Sequence, residues 1–231
     1  MGGVNVKITM IEALMQKVAP HLCFGCSKIG TPLCLNCKYN ITSEPYLGCI
    51  LCGKVSPNGI CAQHDVPVCK AWIVGQRVSV LKRAINAYKF ENVKAIADPL
   101  IDMISSLIPL LPESTIIVPI PTASSHIRQR GYDHIDILAR KLSIQRGLPL
   151  KRYLKRSSSK TQHRLTKAER IIEADSSFYI ANTDTIDPYT PVLLLDDIIT
   201  TGSTVTSAAR ALSNAGVKTI FVAALAYQPL D

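Results

Sequence analysis

All eight cysteines of this 231-residue chain lie between Cys23 and Cys69, and this clustering strongly constrains how that segment can fold. Three pairs have the form C-x-x-C, and a fourth knuckle ends in a histidine. Two ligands separated by two residues can hold one tetrahedral metal ion from the same side, and a second knuckle completes the coordination. The four knuckles therefore predict two closed, structural zinc sites. The predicted ligands are Cys23, Cys26, Cys34, Cys37, Cys49, Cys52, Cys61 and His64.

The spacing leaves the pairing of the knuckles open. Sequential pairing gives one site of four cysteines and one of three cysteines with His64, and it leaves Cys69 unused. Interleaved pairing, or Cys69 in place of His64, is compatible with the same spacing. Nothing in the first twenty residues resembles an export signal, so we expect a cytoplasmic protein with reduced thiols, and disulfides are the weaker interpretation. A redox C-x-x-C site is weaker too, since no pair begins a helix directly after a strand.

After the cysteines, continuous apolar runs of strand length alternate with segments of helical periodicity. Such alternation is typical of an α/β domain whose parallel sheet is covered by helices on both faces. The predicted strands are 71–74, 115–118, 192–195 and 219–225, and the predicted helices are 80–89, 93–107, 134–145 and 204–214. We expect an N-terminal helix at 1–19, a double zinc ribbon at 20–70 and the α/β domain at 71–231. No apolar run reaches the roughly 18–20 residues of a membrane span.

The net charge of +9 comes from one part of the chain. Residues 126–170 hold 13 Lys and Arg against three Asp and Glu, whereas the remaining residues are nearly balanced. Such a basic segment is typical of proteins that bind nucleic acid or polyphosphorylated small molecules. A solvated basic face is the equal alternative on charge alone. The residues predicted to bind DNA are Lys151, Arg152, Lys155 and Arg156.

The segment 191–204 carries the most informative pattern of the chain. Four apolar residues precede Asp196 and Asp197, and two more lead into Thr200-Thr201-Gly202-Ser203-Thr204, which opens the next predicted helix. Backbone amides at a helix start bind phosphate, and a glycine permits close approach. Carboxylates a short distance away suit the hydroxyls of a ribose or its Mg²⁺. The segment therefore predicts a sugar-phosphate site, and a P-loop ATPase is the weaker alternative because the chain has no G-x-x-x-x-G-K-[ST] motif.

This segment resembles the phosphoribosyl pyrophosphate signature of type I phosphoribosyltransferases at all thirteen positions from Val192 to Thr204. The resemblance implies Mg²⁺-assisted binding of phosphoribosyl pyrophosphate, with Asp196 and Asp197 at the ribose. It also implies that the turn at 119–123 meets the pyrophosphate. The residues assigned to the 5′-phosphate are Thr200, Thr201, Gly202, Ser203 and Thr204.

Further motifs resemble ComF proteins, the competence proteins of bacterial DNA uptake. They are the cysteine knuckles, Val118-Pro119-Ile120-Pro121, Arg128-Gln129-Arg130-Gly131-Tyr132, Gln162 with Leu165, and Glu169-Arg170. Such proteins usually have Phe-Asn-Gln after the arginine and glycine, whereas this chain has Tyr132-Asp133-His134. The resemblance implies a double zinc ribbon before a type I phosphoribosyltransferase-like α/β domain. It also implies a role in natural transformation on the cytoplasmic side, with single-stranded DNA and other DNA-uptake or recombination proteins as partners.

Arg128 and Arg130 are predicted to contact pyrophosphate or phosphate. They stand two residues apart near a predicted helix start, and a guanidinium can hold phosphate oxygens bidentately. The polar segment 156–167 resembles the hood that closes over phosphoribosyltransferase sites, and a plain loop is the alternative.

Aromatic and histidine side chains give weaker signals. The aromatic residues Trp72, Tyr88 and Phe90 are either core residues or a surface on which bases stack. The histidines have no partner nearby in the sequence, and we expect His126, His134 and His163 to be surface residues.

Three function classes fit these patterns. The zinc ribbon and the basic segment favour a nucleic-acid-binding competence protein that also holds a phosphoribosyl ligand. The complete signature segment supports an active phosphoribosyltransferase that acts on a nitrogenous acceptor. A regulator or scaffold that has kept the fold without a ligand is the third class. The patterns assign no catalytic residue.

Metal analysis tests the zinc prediction. We expect about two zinc ions per chain, because four consecutive knuckles supply eight ligands. Chelation should unfold the cysteine segment, since its short loops enclose little apolar core. Protein purified without chelators that contains no zinc would contradict the prediction.

Overall fold

The structure is a computed structural model that describes residues 20–156, 177–180 and 186–229. The helix predicted at 1–19, most of the segment compared with a hood and His163 lie outside these residues. Within the described residues, no helix is both long and apolar enough to cross a membrane.

A four-stranded parallel sheet forms the centre of the fold. Its strands are β1 (Lys70–Gln76), β2 (Ile116–Pro119), β5 (Val192–Ile199) and β6 (Ile220–Tyr227), and they lie in the order β1-β6-β5-β2. Each neighbouring pair is parallel. The two central strands are almost wholly buried, as the continuous apolar runs predicted. The predicted α/β fold class is therefore confirmed.

Helices cover both faces of the sheet, and each face has its own core. On one face, Leu193 and Leu195 pack with apolar residues of α2 (Ser79–Phe90), α3 (Ala97–Leu107) and α5 (His134–Arg146). On the other face, Val192 and Leu194 pack with α6 (Ser203–Asn214). An antiparallel pair, β3 (Leu154–Arg156) with β4 (Phe178–Ile180), also lies on this second face and contributes Leu154 and Phe178 to its core.

Several elements differ from the sequence-based expectations. The predicted helix at 93–107 is a 3₁₀ turn at Lys94–Ile96 followed by α3. Two short helices were not predicted: α1 (Leu35–Thr42), inside the cysteine segment, and α4 (Ser124–Arg130). The strand β5 continues past its predicted end at Leu195 to Ile199, because its pairing with β6 continues. Both acidic residues of the signature segment therefore lie within a strand.

The cysteine segment is hydrogen-bonded to the sheet rather than separated from it. The Ala71 amide donates to the Asn58 carbonyl at 2.9 Å, and the Tyr46 amide donates to the Ile73 carbonyl at 3.2 Å. The Cys69 amide donates to the Ile220 carbonyl at 2.8 Å. The division of the chain at residues 70 and 71 remains a proposal.

Candidate functional site

Eight predicted metal ligands form two groups of four. The first is Cys23, Cys26, Cys34 and Cys37, the second is Cys49, Cys52, Cys61 and His64, and within each group the ligand atoms lie within 4.8 Å of one another. We call these the first and second clusters. The knuckles therefore pair sequentially, and the exposed Cys69 belongs to neither cluster.

The clusters have the dimensions and chemistry of tetrahedral zinc sites. The Sγ atoms of Cys26 and Cys34 are 3.6 Å apart, and those of Cys52 and Cys61 are 3.7 Å apart. A tetrahedral ion with Zn–S bonds of about 2.3 Å separates its sulfurs by about 3.8 Å. Among the described residues, the buried Nε2 of His64 has no hydrogen-bond partner, as expected of an atom that ligates a metal. Both clusters are thus compatible with structural zinc.

The first cysteine of each cluster has a lowered thiol pKa. Burial opposes ionisation of Cys23, but hydrogen bonds from the backbone amides of Cys34, Cys26 and Gly25 outweigh it and lower its pKa to about 6. The pKa of Cys49 is lowered in the same way, because nearby backbone amides outweigh burial. Since thiolates are the form that binds zinc, this environment favours metal binding.

The signature loop lies at the carboxyl ends of the parallel strands. Gly202 is buried and has φ +72°, a left-handed conformation that glycine adopts without strain, and α6 begins at the next residue. The side chains of Thr200, Thr201 and Ser203 are exposed, and the hydroxyls of Thr201 and Ser203 are 2.9 Å apart. The structure therefore combines exposed hydroxyls with the positive end of a twelve-residue helix, a suitable environment for a phosphate.

Asp197 lies in a buried polar cluster instead of at an exposed strand end. Its Oδ2 is 2.6 Å from Nζ of Lys89 and 2.5 Å from Nε2 of His134, while its Oδ1 accepts from the Ile198 amide at 2.6 Å. Asp197 is therefore buried within the fold, and Lys89 supplies the ion-pair partner that a buried charge needs. The expectation that His134 is a surface residue is wrong, since only 3% of it is exposed.

The neighbours of His134 indicate which of its ring nitrogens donates a hydrogen bond and which accepts one. Nη1 of Arg130 lies 3.0 Å from Nδ1 of His134, and a guanidinium can only donate. Nδ1 therefore accepts, and Nε2 carries the proton that it donates to Asp197. Lys89 is the cation that pairs directly with Asp197.

The pKa values of the two neighbouring carboxyls are shifted in opposite directions. Burial and the adjacent charge of Asp197 raise the pKa of Asp196 to about 8. The pKa of Asp197 is held well below its usual range because the hydrogen bond from His134 and the charge of Lys89 outweigh burial. Asp196 remains partly exposed, so it is the acid that can reach a ligand.

The predicted phosphate-contacting arginines occupy different environments. Arg128 is exposed on α4, whereas the Arg130 guanidinium also lies 5.2 Å from the ring centre of Phe90. In the turn at 119–123, the Thr122 hydroxyl donates to Asp133 at 3.0 Å, and Asp133 caps α5.

The four basic residues predicted to bind DNA lie on or next to β3. Lys151 and Lys155 are exposed, while Arg152 pairs with Asp136 at 2.6 Å. Arg156 lies 5.2 Å from the Phe178 ring centre, and its guanidinium donates to the Pro121 carbonyl at 3.4 Å. Arg156 therefore joins the β3 strand to the turn that follows β2.

Sequence reasoning missed Lys89 and His134. Lys89 lies near the end of α2, and His134 begins α5. No local sequence pattern links either residue to Asp197. The Tyr132-Asp133-His134 departure from the family pattern was the available signal for His134. Among the aromatic candidates, Tyr88 is fully buried and Phe90 is 64% exposed, so only Phe90 offers a largely open ring.

Asp196→Asn should stabilise the protein increasingly as the pH rises. The folded pKa of about 8 lies above the ordinary carboxyl value, so the stability associated with protonated Asp196 is complete at low pH and is lost up to about pH 8. Asparagine stays neutral and avoids this loss. Between pH 5.5 and 8.5, the difference in unfolding free energy between variant and wild type should change by about 1–3 kcal/mol.

Urea denaturation across this pH range measures the effect. Asp187→Asn is the matched control, because hydrogen bonds from the Tyr189 amide and the Thr190 hydroxyl lower the pKa of Asp187 and its contribution is constant above pH 5.5. Both variants keep the cysteine clusters, so metal loss affects them equally. Parallel curves for wild type and Asp196→Asn would contradict the prediction.

A known domain family matches the C-terminal part of the chain. The phosphoribosyl transferase domain family matches residues 127–231. The chain is similar to adenine phosphoribosyltransferase from Thermoanaerobacter pseudethanolicus at 12% identity and a TM-score of 0.38, covering 60% of this chain and 83% of that one.

A relative covers most of the chain. Competence protein F of Haemophilus influenzae is 32% identical over 211 residues, which span 84% of this chain and 90% of the relative. The alignment is too long to arise from the phosphoribosyl transferase region alone. Two four-ligand clusters consistent with a double zinc ribbon precede a phosphoribosyltransferase-like sheet, and this chain belongs to the competence protein F family, the ComF proteins.

Proposed function

We propose that the chain is a ComF-like protein of natural transformation that binds a phosphoribosyl pyrophosphate-type ligand and single-stranded DNA on the cytoplasmic side. The observation that carries the ligand proposal is the exposed hydroxyl loop at residues 200–203, placed between Asp196 and the start of α6. A phosphate bound by this loop and a ribose bound by the carboxylate belong to one sugar phosphate. The similarity to Competence protein F supports the DNA-uptake role.

The two acids have different parts in this proposal. Asp196 binds the ribose hydroxyls or Mg²⁺, because it is partly exposed and only Asp197 is neutralised by a direct ion pair. Mg²⁺, for which carboxylate oxygens are suitable ligands, would neutralise the pyrophosphate charge. Asp197 holds β5 against Lys89 and His134 and so supports the position of its neighbour. Since the pKa of Asp196 is about 8, ligand binding through its carboxylate should release a proton near neutral pH.

The phosphate contacts are proposed on either side of Asp196. Thr200, Thr201, Gly202, Ser203 and Thr204 hold the 5′-phosphate through hydroxyls and helix-start amides. The turn at 119–123 and the exposed Arg128 lie after β2, and a guanidinium is suited to binding pyrophosphate oxygens. Arg130 is already hydrogen-bonded to His134, so it supports the buried cluster.

The second candidate is an active phosphoribosyltransferase acting on a nitrogenous acceptor. The phosphoribosyl transferase domain family matches residues 127–231, and the signature segment has no substitution that removes an acid or a loop hydroxyl. Transfer of ribose to a nitrogen with release of pyrophosphate would distinguish it from a binding protein.

Removal of the acids tests ligand binding. Asp196→Ala with Asp197→Ala should abolish binding of phosphoribosyl pyrophosphate in the presence of Mg²⁺, as measured by isothermal titration calorimetry. Because Asp197 also neutralises Lys89, Asp196→Ala alone separates the ligand contact from the fold, and it should weaken binding about 10–100-fold. Glu113→Gln, an exposed acid before β2, is the control that should leave affinity unchanged. Unchanged affinity in the double variant would refute the assignment.

The salt dependence of DNA binding tests the basic surface. Each phosphate that the protein neutralises contributes about −0.7 to the slope of log affinity against log salt for single strands. Changing Lys151, Arg152, Lys155 and Arg156 together to Ala should make this slope shallower by roughly two to three. The control removes four exposed lysines elsewhere and should change the slope little: Lys28, Lys54, Lys82 and Lys218 to Ala.

The outcomes separate the function classes. A quadruple variant that keeps its DNA slope but loses phosphoribosyl pyrophosphate shows that the charges serve the small ligand, which favours the transferase. Equal slopes in both quadruple variants would mean that the β3 region is no preferred DNA surface. Wild-type protein that binds no single-stranded DNA at low salt would exclude DNA binding as a direct activity.

A further inference from the structure

The second cluster packs directly against the signature loop. A β-carbon at position 202 would lie 2.5 Å from Cδ2 of Leu51 and 2.8 Å from the carbonyl oxygen of Ile50. Ile50 and Leu51 are the two residues between the ligands Cys49 and Cys52. The backbone of a metal knuckle thus lies against the glycine that precedes α6.

The same knuckle is anchored in the core that surrounds the loop. The Ile50 side chain is 1% exposed and belongs to the buried cluster that includes Ile199, the last residue of β5, and Val205 in the first turn of α6. The loop lies between these two residues in the sequence. Ile50 therefore contacts the hydrophobic core shared by the elements that hold the loop's ends.

A tyrosine pair strengthens the attachment. The rings of Tyr46 and Tyr227 stack with centres 4.3 Å apart, and the Tyr46 hydroxyl donates to the Cys49 carbonyl at 3.2 Å. Tyr227 ends β6, and its register partner in β5 is Ile199. The knuckle is thus connected to the end of β5 from two directions.

The first cluster has different neighbours. Phe24, inside its first knuckle, accepts a hydrogen bond from Nε of Arg83 in α2 at 3.0 Å. Lys38, which follows its last ligand, pairs with Asp102 in α3 at 2.6 Å. These contacts lie on the helices of the other core.

We propose that Ile50 and Leu51 are positioning residues for the loop at 200–204, so that metal in the second cluster maintains the ligand site while metal in the first cluster does not. Coordination of one metal ion by four ligands would fix the conformation of the knuckle and of its two middle residues. These two residues pack directly against Gly202. An anion site made of loop amides binds well only when those amides are already oriented. The inference rests on the proposed phosphoribosyl ligand. It also predicts that amide hydrogen exchange in the unliganded loop is slow only while the second cluster is intact.

The first experiment changes the contact and keeps both metal clusters. Leu51→Ala should weaken binding of phosphoribosyl pyrophosphate with Mg²⁺ by about tenfold, within the usual range of coupling between sites. Zinc content should remain that of the wild type, and amide hydrogen exchange should become faster in residues 199–206. Leu51→Met should restore most of the affinity, because it refills the same volume. The control is Leu47→Ala, because Leu47 lies in the same cysteine segment and is 59% exposed. It should leave affinity and amide exchange unchanged.

The second experiment removes one cluster at a time by matched pairs. Cys52→Ser with Cys61→Ser removes the Sγ pair at 3.7 Å from the second cluster, and Cys26→Ser with Cys34→Ser removes the pair at 3.6 Å from the first. Each double variant should lose one zinc ion per chain. Exchange in residues 199–206 should accelerate in the second-cluster variant and stay slow in the first-cluster variant.

The readouts distinguish failure of this inference from failure of the proposed ligand. If wild-type protein does not bind phosphoribosyl pyrophosphate, the proposed function fails, and the exchange contrast alone decides whether the second cluster supports the loop. Equal loop exchange in the two cysteine variants overturns the inference. The inference is also overturned if Leu51→Ala has the same loop exchange rates and the same affinity as the wild-type protein.

Discussion

A carboxylate buried in the central sheet organises one side of the molecule. Asp197 can stay ionised there only because Lys89 neutralises it and His134 donates to it, at 2.6 and 2.5 Å. These partners come from the end of α2 and the start of α5, so the requirement to neutralise one charge joins two helices to the end of β5. Arg130 extends the network through His134. Replacing one member would leave a charge or donor without its partner in a buried environment, which costs several kcal/mol, about 3–5 for a buried ion pair.

This network gives the two adjacent acids, Asp196 and Asp197, different roles. Asp197 is committed to the fold, while Asp196 stays partly exposed and carries a pKa raised to about 8. A charge placed beside a fixed charge is costly, so Asp196 holds its proton until a cation or a hydrogen-bond donor compensates it. Such a residue is suited to a ligand that arrives with Mg²⁺ or with ribose hydroxyls. The proposed chemistry thus follows from the different environments of two neighbouring side chains.

The cysteine segment contributes to both faces of the α/β domain. Cys23 and Leu33 join the core beneath α2 and α3, and Ile50 joins the core beneath α6. A short segment with little apolar area of its own can be ordered in this way, through metal ligation and through burial against a larger sheet. Its third knuckle, which spans Cys49 to Cys52, lies beside Gly202, where the backbone must be free of a side chain. This contact therefore links the second candidate zinc cluster to the proposed anion site.

Local patterns in the sequence were sufficient for the parallel sheet, the four knuckles and the signature loop. Strand hydrophobicity, C-x-x-C spacing and a glycine before a helix each depend on residues that are neighbours in the chain. The tertiary structure alone decided which knuckles form one four-ligand cluster, that Lys89 and His134 meet Asp197, and that Ile50 lies against Gly202. His134 and Asp197 are 63 positions apart, and no periodicity connects them. Such contacts depend on how strands and helices pack, because burial selects the partner of a charge only after the elements have come together.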